Sequence, residues 1–241
     1  MTLSLEIKKL KRTGYFPAFI GAGFIASAFP VINMLARAQT FTALSGDPLT
    51  ILMDANWQMM AMINILICVC GSCIMYHTEY ADNGLQKMDV LPVRSGALFI
   101  TKFVITALIL AIIIVMETAV LAGCVLHWFP GRGLSLWELL KTAGFQWLIT
   151  LPTVMMMLVI ASAWKNMWIS LGIGVILVFA LSILPQDLLI LNLCPFSSPY
   201  QTYAMAVQND RVSLFLILCP VETPGLGLLE MFYQKIRRCV Q

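Results

Sequence analysis

Charge is what this sequence has least of. Lysine, arginine, aspartate and glutamate make up 11% of its 241 residues, against the roughly 25% usual in a soluble domain. Thr13–Ala36, Ala55–Tyr76, Thr142–Trp164 and Asn166–Gln186 contain no acidic or basic side chain at all. Two further stretches, Phe103–Phe129 and Val212–Tyr233, are broken only by isolated glutamates and a terminal histidine. Each is about as long as the ~20 residues that carry an α-helix across bilayer hydrocarbon. A backbone in lipid must satisfy its N–H and C=O groups within its own segment, so the spans are predicted to be helices.

Other absences exclude chemistry. No G-x-x-x-x-G-K-[ST] phosphate loop occurs, and Gly131-Arg132-Gly133 lacks the lysine and hydroxyl that cradle phosphate, so the chain is not its own ATPase. The two histidines, His77 and His127, are predicted on opposite sides of the membrane, which removes a clustered metal site of the protease kind. No G-x-S-x-G nucleophile elbow is present. The seven cysteines are placed mainly within spans, and Cys70 and Cys73 read as small packing residues, not a metal pair. A net charge of +3 gives no reason to expect nucleic acid. No cleavage pattern follows the first apolar run, which is read as a retained span.

What is present reads as one all-α integral membrane domain over 1–241, with six crossings at about 15–36, 56–76, 98–126, 143–163, 167–184 and 212–233. The positive-inside rule orients it. With the N-terminus inside, Lys8, Lys9, Lys11, Arg12, Lys87, Arg94, Lys102, Lys165, Lys235, Arg237 and Arg238 fall in the cytoplasm; only Arg37, Arg132, Lys141 and Arg211 fall outside. Both termini are then cytoplasmic. Trp57, Trp128 and Trp147 form the outer aromatic belt, and Tyr15, Tyr76, Trp164, Trp168 and Tyr233 the inner one.

Residues 3–12 place Leu3, Ile7 and Leu10 at helical spacing among lysines, which predicts an amphipathic elbow in the inner headgroup layer before a turn at Gly14. Residues 37–54 are expected as an external loop, with 49–53 dipping back after the Gly46-Asp47-Pro48 turn. The link 163–167 is a tight inner turn. The proline-bounded stretch within 185–211 is expected to fold back onto the outer mouth of the bundle.

Residues 77–102 are the one substantial polar segment between spans, predicted cytoplasmic. Glu79, Asn83 and Gln86 share one side of a helix, and Leu85, Met88 and Leu91 follow its apolar edge. Pro92 ends it at Leu91, and Arg94 and Lys102 are expected at the headgroups. Glu79, Gly84, Leu85 and Lys87, then Leu91-Pro92-Val93-Arg94, then Lys102, form a pattern that resembles the permeases of ABC-2 type exporters. That resemblance implies a coupling helix docking on a separate ATPase dimer through Glu79, Asn83, Gly84, Leu85, Gln86, Lys87, Met88, Leu91 and Arg94. ATP and Mg would reside on that partner, with no cofactor on this chain. It also implies a second permease subunit and a type V exporter-like layout in the bacterial plasma membrane. The small size looks most like permeases of lantibiotic self-protection transporters, whose substrate is an amphipathic peptide.

A carboxylate inside a span costs roughly 2.5–3.5 kcal/mol on insertion scales and invites a functional reading. Glu117 and Glu222 are expected along a substrate pathway, or else as an interface carboxylate and a partner for the helix break at Pro220 and Pro224. Asn33 and Asn64 read as interhelix hydrogen-bond partners. The methionines around 59–62 and 155–157 would suit greasy cargo, and Gly21, Gly23, Gly172 and Gly174 would allow close packing, including with a partner. A secondary carrier and an intramembrane enzyme are the alternatives, set aside for want of inverted repeats and of catalytic clusters.

Overall fold

The computed structural model describes every residue except 1, 81–94, 132, 185–187, 189–190, 192 and 241, and among those described it holds helices and no strand. In chain order these are α1 (Thr2–Lys11), α2 (Tyr15–Thr42), α3 (Pro48–Tyr80), α4 (Ser95–Trp128), α5 (Leu136–Ala163), α6 (Met167–Ile183), a 3-10 turn (Ser198–Tyr200), α7 (Tyr203–Gln208) and α8 (Val212–Val240). Five of them, α2, α3, α4, α5 and α8, are long and apolar enough to cross a membrane; α6 is an apolar helix of 17 residues. The chain is therefore a multi-pass membrane protein.

Local chemistry sets the boundaries. Gly14 takes a left-handed conformation at φ 71° that lets α1 turn sharply into α2. Arg37, the first charge after the apolar run, has non-helical angles (φ −138°, ψ 31°), and α2 resumes beyond it to Thr42. The Asp47 carboxylate accepts from Thr50 N at 2.9 Å and from Thr50 Oγ1 at 3.0 Å, capping α3 with Pro48 in its first turn. This corrects the expected loop 37–54. Only 43–47 lie between the helices, and Leu49, Leu52 and Met53 are buried in the first turns of α3. Asn166 accepts from Trp168 N at 3.0 Å and starts α6 directly after the tight turn from α5.

α3 is the central helix, packed by α2, α4, α5 and α6. The largest apolar cluster lies around its first half, where Leu52, Trp57, Met60 and Ile65 meet Val125, Met157, Val178, Phe196 and Tyr200. A second cluster joins Leu10 of α1 and Tyr15 and Phe19 of α2 to Met75, Ile105, Ile109 and Ile113. α2 and α8 lie at the periphery, with Phe24, Ile25 and Leu35, and Ile217, Leu228 and Phe232, turned outward as lipid-facing side chains must be. The methionines divide: Met60, Met155 and Met157 are core residues, and Met59 is exposed.

At the end of the bundle away from Lys102 and the chain termini, residues 194–202 pass between the helix ends. Trp57 Nε1 donates to Pro199 O at 2.8 Å, Gln146 Nε2 to Gln201 O at 3.0 Å, Ser198 Oγ to Ile149 O at 2.9 Å and Tyr200 OH to Val178 O at 3.1 Å. The Thr153 hydroxyl donates to Pro195 O. A non-helical segment can be enclosed there because neighbouring side chains satisfy its carbonyls. Trp57→Phe removes one donor and leaves the Pro199 carbonyl unpaired. The expected loss is about 1–3 kcal/mol in denaturant unfolding of the detergent-solubilised protein; an unchanged midpoint would show that the bond is dispensable.

Candidate functional site

The polar side chains gather at two levels, and the larger group sits at the lysine-rich end, where 81–94 leave and rejoin the described structure. Lys102 Nζ, 1% exposed, lies 2.5 Å from Glu79 Oε1 and 3.3 Å from Glu6 Oε2. Lys9 Nζ closes the group at 2.7 Å from Glu6 Oε1 and 3.5 Å from Glu79 Oε1. Lys102 also stands 5.4 Å over the Tyr76 ring. Two carboxylates and two ammonium groups thus join α1, α3 and α4 with no net charge. Burying Glu6, Glu79 and Lys102, with Lys9 partly exposed at the edge, is tolerable only because each charge has a partner of opposite sign.

A second set adjoins it. Tyr80 OH donates to Ser162 O at 2.5 Å, Ser162 Oγ to Glu230 Oε1 at 2.5 Å and Gln234 Nε2 to the same oxygen at 2.7 Å. Glu230 is 1% exposed. This set carries the connection from the last turn of α3 to α5 and α8.

The sequence expectations fare unevenly here. Lys102, expected as a headgroup anchor, has its ammonium enclosed in the bundle against Glu6 and Glu79. Glu79, expected to share a docking face with Asn83 and Gln86, is buried with its carboxylate turned toward α1 and α4. Asn83, Gly84, Leu85, Gln86, Lys87, Met88, Leu91 and Arg94 lie outside the described residues. On α1 the bundle-facing side is Glu6 with Leu10, while Leu3 and Ile7 are exposed, so the three leucine and isoleucine positions do not share one buried stripe. Glu6 and Glu230 escaped the sequence reading. The available signals were an acid amid the lysines of an amphipathic helix, and a second carboxylate within the last span.

The other level lies within the bundle. Asn64 Nδ2 donates to Glu117 Oε2 at 2.9 Å, joining α3 to α4, and Asn33 Nδ2 donates to Asn56 Oδ1 at 2.9 Å, joining α2 to α3. Glu117 is fully enclosed. Glu222 is half-buried on α8, which runs through Pro220 and Pro224. Among the described residues no hydrogen bond joins Glu117 to Glu222, and no grouping of three or more metal-ligand side chains is found. At the far end a cavity of about 160 Å³ opens between the start of α3, α5 and α7, lined by Asp47, Thr50, Met53, Glu138, Thr142 and Tyr203 among others.

A bundle of long apolar helices, with a cluster of charges at one end and a few interhelix polar bonds within, defines a multi-pass membrane protein. A family model described as an ABC-2 family transporter protein matches residues 2–181, from α1 through most of α6. The chain belongs to that family, whose members are the membrane permease components of ABC transporters and work with an ABC ATPase subunit. No curated protein and no solved structure matches it.

Proposed function

We propose that the chain is the permease subunit of an ABC exporter that moves an amphipathic substrate, such as a lantibiotic peptide, from the membrane to the outside. In this reading α6 completes six crossings and both termini are cytoplasmic. A second permease, most simply a different homologous chain, forms the other half of the pathway in the bacterial plasma membrane. ATP and Mg are bound by a separate ATPase dimer. The observation that carries the reading is the ion cluster at the root of 81–94. Force applied to that segment reaches α1, α3 and α4 through Glu79 and Lys102, and α5 and α8 through Tyr80, Ser162 and Glu230.

Glu222 borders the substrate route, joined by Glu117 when the bundle opens. The partner contact falls on Asn83 to Arg94, with Glu79 supporting it from within. Charge reversal at Glu79 would confound docking with folding, so the test moves outward. Lys87→Glu and Gln86→Glu are expected to abolish co-purification of the ATPase subunit from membranes while leaving the melting temperature of the permease unchanged. Undiminished co-purification and ATPase activity in both variants would remove the docking assignment. Ion-gradient-driven transport by the chain alone would favour a secondary carrier.

A further inference from the structure

Among the buried side-chain atoms of the described residues that have no hydrogen-bond partner, two belong to a single bonded pair in the bundle interior. Asn64 Nδ2 donates to Glu117 Oε2 at 2.9 Å, but Glu117 Oε1 and Asn64 Oδ1 are both closed off and unbonded. The residues are 1% and 2% exposed. Both orphaned atoms are acceptors, and an ionised carboxylate carries no proton to give Asn64 Oδ1.

Among the described residues no cation pairs with the Glu117 carboxylate. α4 carries no other charge between Lys102 and His127, and α3 carries none between Asp54 and His77. The apolar stretches of α2, α5 and α6 carry none either, and the acids within α8 are Glu222 and Glu230. The remaining groups within these apolar stretches that can gain or lose a proton are Cys68, Cys70, Cys73 and Tyr76 on α3, Cys124 on α4, Tyr15 on α2 and Cys219 and Tyr233 on α8; none brings positive charge, and Arg37, Lys141 and Lys235 stand toward the ends of their helices. An ionised Glu117 would be an enclosed charge without a counter-ion, the costliest arrangement a protein interior can hold.

One proton on Oε1 resolves the whole arrangement. The acid O–H then donates to Asn64 Oδ1 while Asn64 Nδ2 donates to Oε2, closing a ring of two hydrogen bonds that uses both orphaned atoms. We propose that Glu117 is a proton-binding site, its side chain held as a neutral carboxylic acid and paired doubly with Asn64 so that α3 and α4 are bolted together inside the bundle. Loss of that proton breaks one of the two bonds and leaves a bare charge, so proton occupancy and the α3–α4 contact are linked. The inference does not depend on what the chain transports.

The test is infrared difference spectroscopy of the full chain in lipid nanodiscs at neutral pH. Wild type minus Glu117→Gln is expected to show a protonated-carboxyl C=O band above the amide I region that moves down in D2O. Asn64→Leu keeps the acid but removes its partner, and should shift that band upward; this second variant decides the matter if Glu117→Gln does not assemble. Carboxylate stretches in place of the acid band, or an acid band that Asn64→Leu leaves unmoved, would overturn the proposal.

Discussion

Lys102→Met is expected to destabilise the protein by about 3–5 kcal/mol, the usual cost of removing one partner from a buried ion pair. Glu6 and Glu79 would keep only Lys9 between them, and Lys9 is 35% exposed at its side chain. The deficit is therefore uncompensated charge more than lost contact. The triple variant Glu6→Gln, Glu79→Gln, Lys102→Met removes every charge Lys102 answers and is expected to recover most of the loss. Unfolding of purified protein in detergent measures both. A Lys102→Met variant as stable as wild type, or a triple variant no better than the single, would show that the cluster is not held by charge pairing.

Gly174→Val is expected to cost at least the 1–3 kcal/mol typical of an overpacked core, and to separate α6 from α3. A Cβ at 174 would lie 2.6 Å from Val69 Cγ1, 2.9 Å from Val69 Cγ2 and 3.1 Å from Met157 Sδ. Methionine can swing away, but the valine methyls sit on a short branched stem and cannot, so a helix must move. Gly172→Ala has open space and serves as the control, with no loss expected. Combining Gly174→Ala with Val69→Ala should restore part of the stability that Gly174→Ala alone removes, a coupling a double-mutant cycle reads directly. Equal effects at 172 and 174 would refute the packing argument.

Long apolar helices are legible because lipid imposes a single rule on long uncharged runs; five of the helices are long and apolar enough to cross a membrane, while α5 begins at Leu136, well before the expected 143. The kink at Arg37 coincides with the predicted end of the first span. The early start of α3 was missed because Asp47-Pro48 signals both a turn and a helix cap, and only the burial of Leu49 and Leu52 decides between them. Gly23 and Gly174 were expected to serve close packing, and each meets a side chain of this same chain, Ile113 and Val69. The Asn64 bond was anticipated in kind but not in partner, since helical spacing says which face a residue occupies and not which neighbour supplies the opposing group. The burial of Lys102 is illegible for the same reason: the acids that pair with it come from residues 6 and 79, far away in sequence.

The shortness of α6 has a consequence for the surrounding lipid. Seventeen residues rise only about 25 Å, against a hydrocarbon core of roughly 30 Å. Ile176, Phe179 and Ile183 point outward along it, with Trp168 at its start. With α6 as the sixth crossing proposed above, acyl chains bordering it must compress while those beside the longer α2 and α4 need not, and the annulus of uneven depth would sense acyl-chain length on one flank.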